Sequence, residues 1–157
     1  MIQRKQTLYL FFAGLIPLTM LFIPFGNLAT EVAYYEYTAF AVREATPDNT
    51  FILNTVGNAL MLILSAGLSF IAIFLYKNRK MQMKLVTLNM IVILIAICTI
   101  MYVYPNFVFA KNIYLNGATV KFSYTILISF VSAIGLFLAK KAIAKDEAMI
   151  RSADRLR

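Results

Sequence analysis

The chain has 157 residues, 61% of them hydrophobic and 14% charged, with a net charge of +8. Soluble domains have about 45–50% apolar and about 25% charged residues, so this balance reads as membrane-embedded. The sequence has no His and one cysteine, Cys98. The commonest general base and metal ligand is therefore missing, no disulfide can close within the chain, and a thiol relay or a Cys-ligated metal is excluded for the chain alone.

Arg4 and Lys5 form a short basic head. Residues 7–25 follow without a charge, enough to cross a ~30 Å hydrocarbon core as a helix. A signal peptide has a shorter apolar stretch, about 7–15 residues, and a small-x-small cleavage site. This run ends Pro24-Phe25-Gly26-Asn27 and is read as an uncleaved first span. Pro17 removes a backbone donor and predicts a kink, with a neighbouring helix or Thr19 relieving the freed carbonyl.

Residues 26–50 form loop 1, with four of the seven acids: Glu31, Glu36, Glu44 and Asp48. Val32, Tyr34, Thr38, Phe40 and Val42 recur at period two, interrupted by Glu36, and predict one or two strands. A short helix over residues 39–45 is the competing reading. Pro47-Asp48-Asn49 predicts a turn into the next helix. Residues 51–76 are the second span, longer than a bilayer needs, so its outer turn projects or the helix tilts. Asn54 and Asn58 lie near its outer end, and Asn58, Ser65, Ser69 and Ala72 share a stripe.

Residues 77–84 carry Lys77, Arg79, Lys80 and Lys84 and no acid. A link this short makes its flanking helices antiparallel neighbours. Residues 85–104 are the third span, ended by Pro105-Asn106, with Asn89 and Ala96 on one face. In loop 3, residues 111–122 read as a β-hairpin around Asn116-Gly117, with Leu115 opposite Ala118, Tyr114 opposite Thr119 and Ile113 opposite Val120. A lone hairpin is marginal in water, so loops 1 and 3 are expected to pair into one small sheet.

Residues 122–139 are the fourth span. Thr125, Ser129, Ser132, Leu136 and Ala139 recur at alternating spacings of four and three, and Gly135 with Ala139 is a small-xxx-small pair, the pattern of a helix-packing seam. Residues 140–157 continue as an amphipathic helical tail with Ala142, Ile143, Met149, Ile150, Ala153 and Leu156 on one stripe. Most charges lie opposite, Asp146 being the exception.

Four spans place twelve of the fifteen Lys and Arg on one side. The positive-inside rule then makes both termini cytoplasmic and loops 1 and 3 extracytoplasmic. On the cytoplasmic side, Lys77, Arg79, Lys80, Lys84, Arg151, Asp154, Arg155 and Arg157 are candidates for partner or lipid contact. Asn58, Ser65, Ser69, Asn89, Ser129 and Ser132 are candidates for hydrogen bonding between helices, or for lining a polar path. The spans hold no Asp, Glu, Lys or Arg of the kind proton- or ion-coupled transport uses. Tyr34, Tyr35, Tyr37 and Phe40 are either an outer docking surface or the core of the small sheet. Cys98 is a packing residue.

Enzyme readings fail on inventory: an intramembrane serine protease wants a His, an aspartyl protease wants membrane Asp residues, and a quinone-linked thiol oxidase wants cysteine pairs. No catalytic, metal or cofactor-binding residue is expected.

Three segments resemble a known family: Met1-Ile2-Gln3-Arg4-Lys5-Gln6-Thr7-Leu8-Tyr9-Leu10, then Phe74-Leu75-Tyr76-Lys77-Asn78-Arg79-Lys80-Met81-Gln82, and finally Lys145-Asp146-Glu147 with Ile150-Arg151-Ser152-Ala153-Asp154-Arg155-Leu156-Arg157. They are similar to small four-span membrane proteins of Bacteroidota-type bacteria catalogued only as a domain of unknown function. The resemblance implies an inner-membrane protein with a periplasmic outer side. It brings no activity to carry over.

The expectation is an all-α membrane protein of one domain: a four-helix transmembrane bundle with a small extracytoplasmic β-sheet or hairpin from loops 1 and 3. Its expected role is that of a non-catalytic accessory or structural subunit of a larger inner-membrane complex, in protein transport or envelope machinery. Its expected partners are membrane lipids and membrane proteins, not nucleic acid, and it needs no cofactor. The alternative is a channel, carrier or lipid-handling protein with a polar intramembrane cavity.

Overall fold

The computed structural model describes residues 3–31 and 33–155, and for residues 3, 4, 151 and 153–155 the backbone alone. The chain runs α1 (Gln3–Thr19), β1 (Gly26–Ala29), β2 (Tyr34–Tyr37), β3 (Ala41–Glu44), β4 (Phe51–Asn54), α2 (Val56–Phe74), α3 (Arg79–Cys98), β5 (Thr119–Phe122) and α4 (Thr125–Arg155). This corrects the expected fold class. The molecule is not an all-α four-helix transmembrane bundle but four helices with a five-stranded antiparallel sheet. Three helical stretches are long and apolar enough to cross a membrane: Val56–Lys77, Arg79–Lys111 and Thr125–Ile150.

The correction has a local cause at each end of the sheet. The apolar run at 7–25 is not helical throughout, because α1 stops at Thr19 and Phe25 already donates to the Tyr37 carbonyl at 2.7 Å, at the entry to β1. Residues 51–54 leave the second span to pair with β3 as β4. Their Phe-Ile-Leu stretch suits a ladder as well as a helix. The strand order is β4-β3-β2-β1-β5. Loops 1 and 3 thus meet through β1 and β5, with Leu28 opposite Val120.

Of the period-two face read from the sequence, Val42 in β3 is buried, but Tyr34 in β2 and Phe40 are exposed. In β2 it is Tyr35 and Tyr37 that point inward. Thr38 ends β2 with its hydroxyl bonded to the Ala41 carbonyl at 2.7 Å, a turn that resets the alternation before β3. The competing helix over 39–45 does not form, and Val32 lies outside the described residues. The turn at 47–49 does form, with Asn49 at φ 47°, but it leads into β4 rather than into a helix. The hairpin at 111–122 is reduced to its turn: Gly117 sits at φ 75° and the Ala118 amide donates to the Leu115 carbonyl, but only β5 becomes a strand, and it pairs with β1.

Pro105 does not end the third span. Its ring would clash with the preceding turn of an α-helix, and the helix widens into a π-helical segment, Thr99–Val108, followed by a 3-10 turn, Phe109–Lys111. Asn106 Nδ2 donates back to the Tyr102 carbonyl across this segment. At Pro17 the neighbouring helix supplies the relief. The proline leaves the Ala13 carbonyl without its intrahelical donor, and Ser132 Oγ on α4 donates to it at 2.8 Å.

α1 packs against α2 and α4, and α3 against the same two helices. Their contact faces are lined by small and polar side chains, including Ala13, Ala59, Ser65, Ala66, Ser69, Ala72, Ala96, Ser129, Ser132 and Ala139, all buried. Their outer faces carry Leu60, Ile63, Leu64, Leu88, Ile91, Leu94, Leu127, Val131, Ile134 and Phe137, all exposed. From Thr125 to Arg155 the fourth span and its tail form one continuous helix. The tail's stripe is shifted from the sequence reading: Ile143 is buried, Met149 and Ile150 are exposed, and Asp146 faces inward.

Gly26 tests the seam between the two loops. A Cβ there would lie 2.5 Å from the Lys121 carbonyl oxygen and 3.0 Å from the Phe122 Cα, both backbone atoms. Gly26→Ala should push β5 off β1 and destabilise the protein by about 1–3 kcal/mol. Gly67→Ala, where a Cβ meets nothing within 4 Å, should be neutral or stabilising by up to about 1 kcal/mol. Denaturation in detergent, followed by circular dichroism, compares the two.

Candidate functional site

The sheet is fastened to the helices at Tyr37. Its ring is fully buried, edge-on to Phe25 and to Phe109 with centroids 5.2 Å away in each case, and 6.0 Å from Tyr104. Its hydroxyl accepts a 2.7 Å hydrogen bond from Asn58 Nδ2 on α2. The π-helical extension of α3 brings Tyr104 and Phe109 to this position. Of the four aromatic candidates, Tyr35 and Tyr37 are therefore internal, while Tyr34 and Phe40 are exposed.

The six helix-packing candidates, Asn58, Ser65, Ser69, Asn89, Ser129 and Ser132, are all buried. Asn89 Nδ2 donates to Ser69 Oγ at 2.7 Å, joining α3 to α2, and Ser132 joins α4 to α1. Ser129 Oγ turns back to the Ile126 carbonyl of its own helix. Three buried acceptors have no hydrogen-bond partner among the described residues: Asn58 Oδ1, Asn89 Oδ1 and Ser65 Oγ. Asn54 does not join this set, because it is exposed in β4 and its Oδ1 accepts from the Val56 amide at the start of α2.

Two further contacts were not expected from the sequence. Gln82 Nε2 donates to the Ala72 carbonyl at 2.9 Å and closes the α2–α3 corner. Gln6 Nε2 donates to Asp146 Oδ2 in a buried contact and also reaches the Ala142 carbonyl, tying the start of α1 to the end of α4. The only sequence signal for the second contact was Asp146 breaking the charge pattern of the tail. Its partner lies 140 positions away.

The basic residues gather at the end opposite the sheet. Lys77, Lys80 and Lys84 are exposed, and Arg79 is half-buried with its Nη1 lacking a hydrogen-bond partner among the described residues. The link between α2 and α3 is shorter than expected: α3 begins at Arg79 and Asn78 caps it, its Oδ1 accepting from the Met81 amide. A groove of about 500 Å³ there is lined by Lys77, Arg79, Lys80 and Glu147. A second, of about 590 Å³, lies between Lys80, Lys84 and Glu147. A third, of about 560 Å³, lies between α1 and α4 and is lined by Lys5, Lys141 and Lys145, residues not singled out from the sequence. Arg157 lies outside the described residues, as do the side chains of Arg151, Asp154 and Arg155. Among the described residues no cluster of His, Cys, Asp and Glu could hold a metal ion.

Two tests follow from the interior. Burial raises the Tyr37 phenol above the ordinary tyrosine range, the Asn58 hydrogen bond opposes the rise, and Tyr104 adds to it. The folded-state value lies above the unfolded one, so this contribution to stability is whole below about pH 10 and is lost as the pH rises beyond it. Tyr37→Phe should lower stability at neutral pH by about 1 kcal/mol and flatten the alkaline decline, read from unfolding midpoints across pH. For the Asn89–Ser69 bond, a double-mutant cycle with alanine should give a coupling of about 0.6–1.7 kcal/mol.

No curated protein matches the chain. The family model described as "Domain of unknown function (DUF4293)" matches residues 2–156, nearly the whole length. The chain therefore belongs to the DUF4293 family, a domain whose function is unknown.

Proposed function

We propose that this is a non-catalytic, multi-pass protein of a bacterial cytoplasmic membrane, serving as an accessory or structural subunit of a larger assembly. Both termini and the basic end lie on the cytoplasmic side in this reading, and the sheet lies outside. The charge bias supports the orientation, since the lysines of α1, α3 and α4 gather at one end.

The observation that carries the subunit role is the sheet's two edge strands. β4 and β5 each have one unpaired side, and exposed Phe51 and Phe122 lie on them. Such edges recruit another chain by strand addition. The interior favours this role over that of a channel or carrier. Asn58, Ser69, Asn89 and Ser132 are buried and bonded to neighbouring elements, which is the behaviour of packing residues.

A photo-crosslinking residue placed at Thr119 in β5 or at Phe51 in β4 tests this in native membranes. A discrete protein adduct is expected from at least one edge, and none from Leu94, which is exposed on α3. Purification in mild detergent should retain the same protein. A lone species with lipid and no edge adduct would remove the subunit reading.

A further inference from the structure

We propose that the groove between the start of α1 and the end of α4 binds the headgroup of an anionic phospholipid. The proposal rests on the membrane reading above and concerns a site separate from the sheet edges and from the α2–α3 link.

Three ammonium groups line this groove, Lys5 from α1 and Lys141 and Lys145 from α4. The two on α4 are four residues apart and so share one face of the helix. Asp146 is the one acid in the lining, against three lysines. That carboxylate is buried and already accepts from Gln6 Nε2, whereas the exposed lysines have the groove before them. Three like charges held on two facing helices repel one another, and a phosphate placed among them relieves that repulsion.

The rest of the lining fits an amphiphile rather than a free ion. Tyr9, Leu138, Ala142 and Met149 supply an apolar wall. Tyr9 and Leu138 lie about one turn along their helices from the lysines, toward the outer faces where Leu8, Phe12, Ile134 and Phe137 are exposed. A phosphodiester seated at the lysines would send its acyl chains along that apolar surface. The groove's volume of about 560 Å³ lies within the range of small-molecule pockets, about 300–1,000 Å³. The Gln6–Asp146 contact pins α1 to α4 beside the lysines, so the groove exists before any lipid arrives. A basic pocket between helices at the end of their apolar surface is the usual setting for anionic headgroups.

Native mass spectrometry of the full chain, exchanged in detergent against defined lipids, tests the proposal. Phosphatidylglycerol should be retained over phosphatidylcholine. Lys145→Glu should weaken that retention severalfold, and adding Lys141→Glu should weaken it by about tenfold or more. Lys111→Glu changes the total charge equally, lies near the sheet, and should change nothing. The milder pair Lys141→Gln and Lys145→Gln should also weaken retention, which separates loss of charge from misfolding.

Equal retention of the two lipids, or an equal loss in Lys111→Glu, would overturn the proposal. So would displacement of phosphatidylglycerol by millimolar inorganic phosphate, which would make this a site for free phosphate. Carbonate extraction of membranes keeps the two readings apart. A chain that washes off overturns the membrane reading itself, while one that stays but shows no lipid preference overturns the groove alone.

Discussion

The helices of this protein must turn their polar side chains toward one another, and most of the structure follows from that. Their outer faces are so apolar that Asn58, Ser65, Ser69, Asn89, Ser129 and Ser132 have no other favourable place. A water-soluble domain does the reverse, putting its large aliphatic residues in the core and its polar ones outside. Here small and polar residues form the contact faces, and backbones come close at Gly14, where an added Cβ would stand 3.0 Å from the Ser69 Cβ. Association by small residues and interhelical hydrogen bonds is how helices pack when the surrounding medium is as apolar as they are. The same constraint explains why Ser132 on a neighbouring helix satisfies the carbonyl exposed by Pro17.

One side chain reaches from the sheet deep into this interior. Tyr37 leaves β2, enters the space between α2 and the π-helical end of α3, and bonds to Asn58. Asn58 is therefore both a helix-packing residue and the point where the sheet is attached. The π-helical widening around Pro105 is part of the same joint, because it carries Phe109 to the Tyr37 ring. At the opposite end Gln6 and Asp146 perform a similar task, holding α1 and α4 together beside the lysines. The molecule thus has a buried polar lock at each end, with surfaces of different chemistry beyond them: open strand edges at one, ammonium groups at the other.

Much of this was legible in the sequence where the signal is long and periodic. The seam Thr125, Ser129, Ser132, Leu136 and Ala139 is buried throughout, because a regular alternation of fours and threes over about four turns has one structural meaning. The continuation of α4 into the tail was legible for the same reason. The sheet was harder to read. Gly26–Ala29 and Phe51–Asn54 adjoin apolar runs with no change of composition, so nothing local separates a short strand from the last turn of a span. What makes them strands is pairing, and β1 finds one partner 90 to 96 positions away. The fold class was misjudged on that account. Pro105 was read as a stop because a sequence does not show that a helix can widen around it. The groove at Lys5, Lys141 and Lys145 was missed because its walls come from opposite ends of the chain.

Whether the exposed apolar faces meet lipid is the question on which the rest depends. Spin labels at Leu94 on α3 and Ile134 on α4, compared with labels at Thr119 in the sheet and Lys80 at the basic end, answer it through their accessibility to oxygen and to a water-soluble nickel chelate. In reconstituted vesicles, Leu94 and Ile134 should relax with oxygen and be shielded from nickel, while Thr119 and Lys80 should show the opposite. Ready access of nickel to Leu94 and Ile134 would mean that these faces meet water or protein, and the arrangement argued above would not stand.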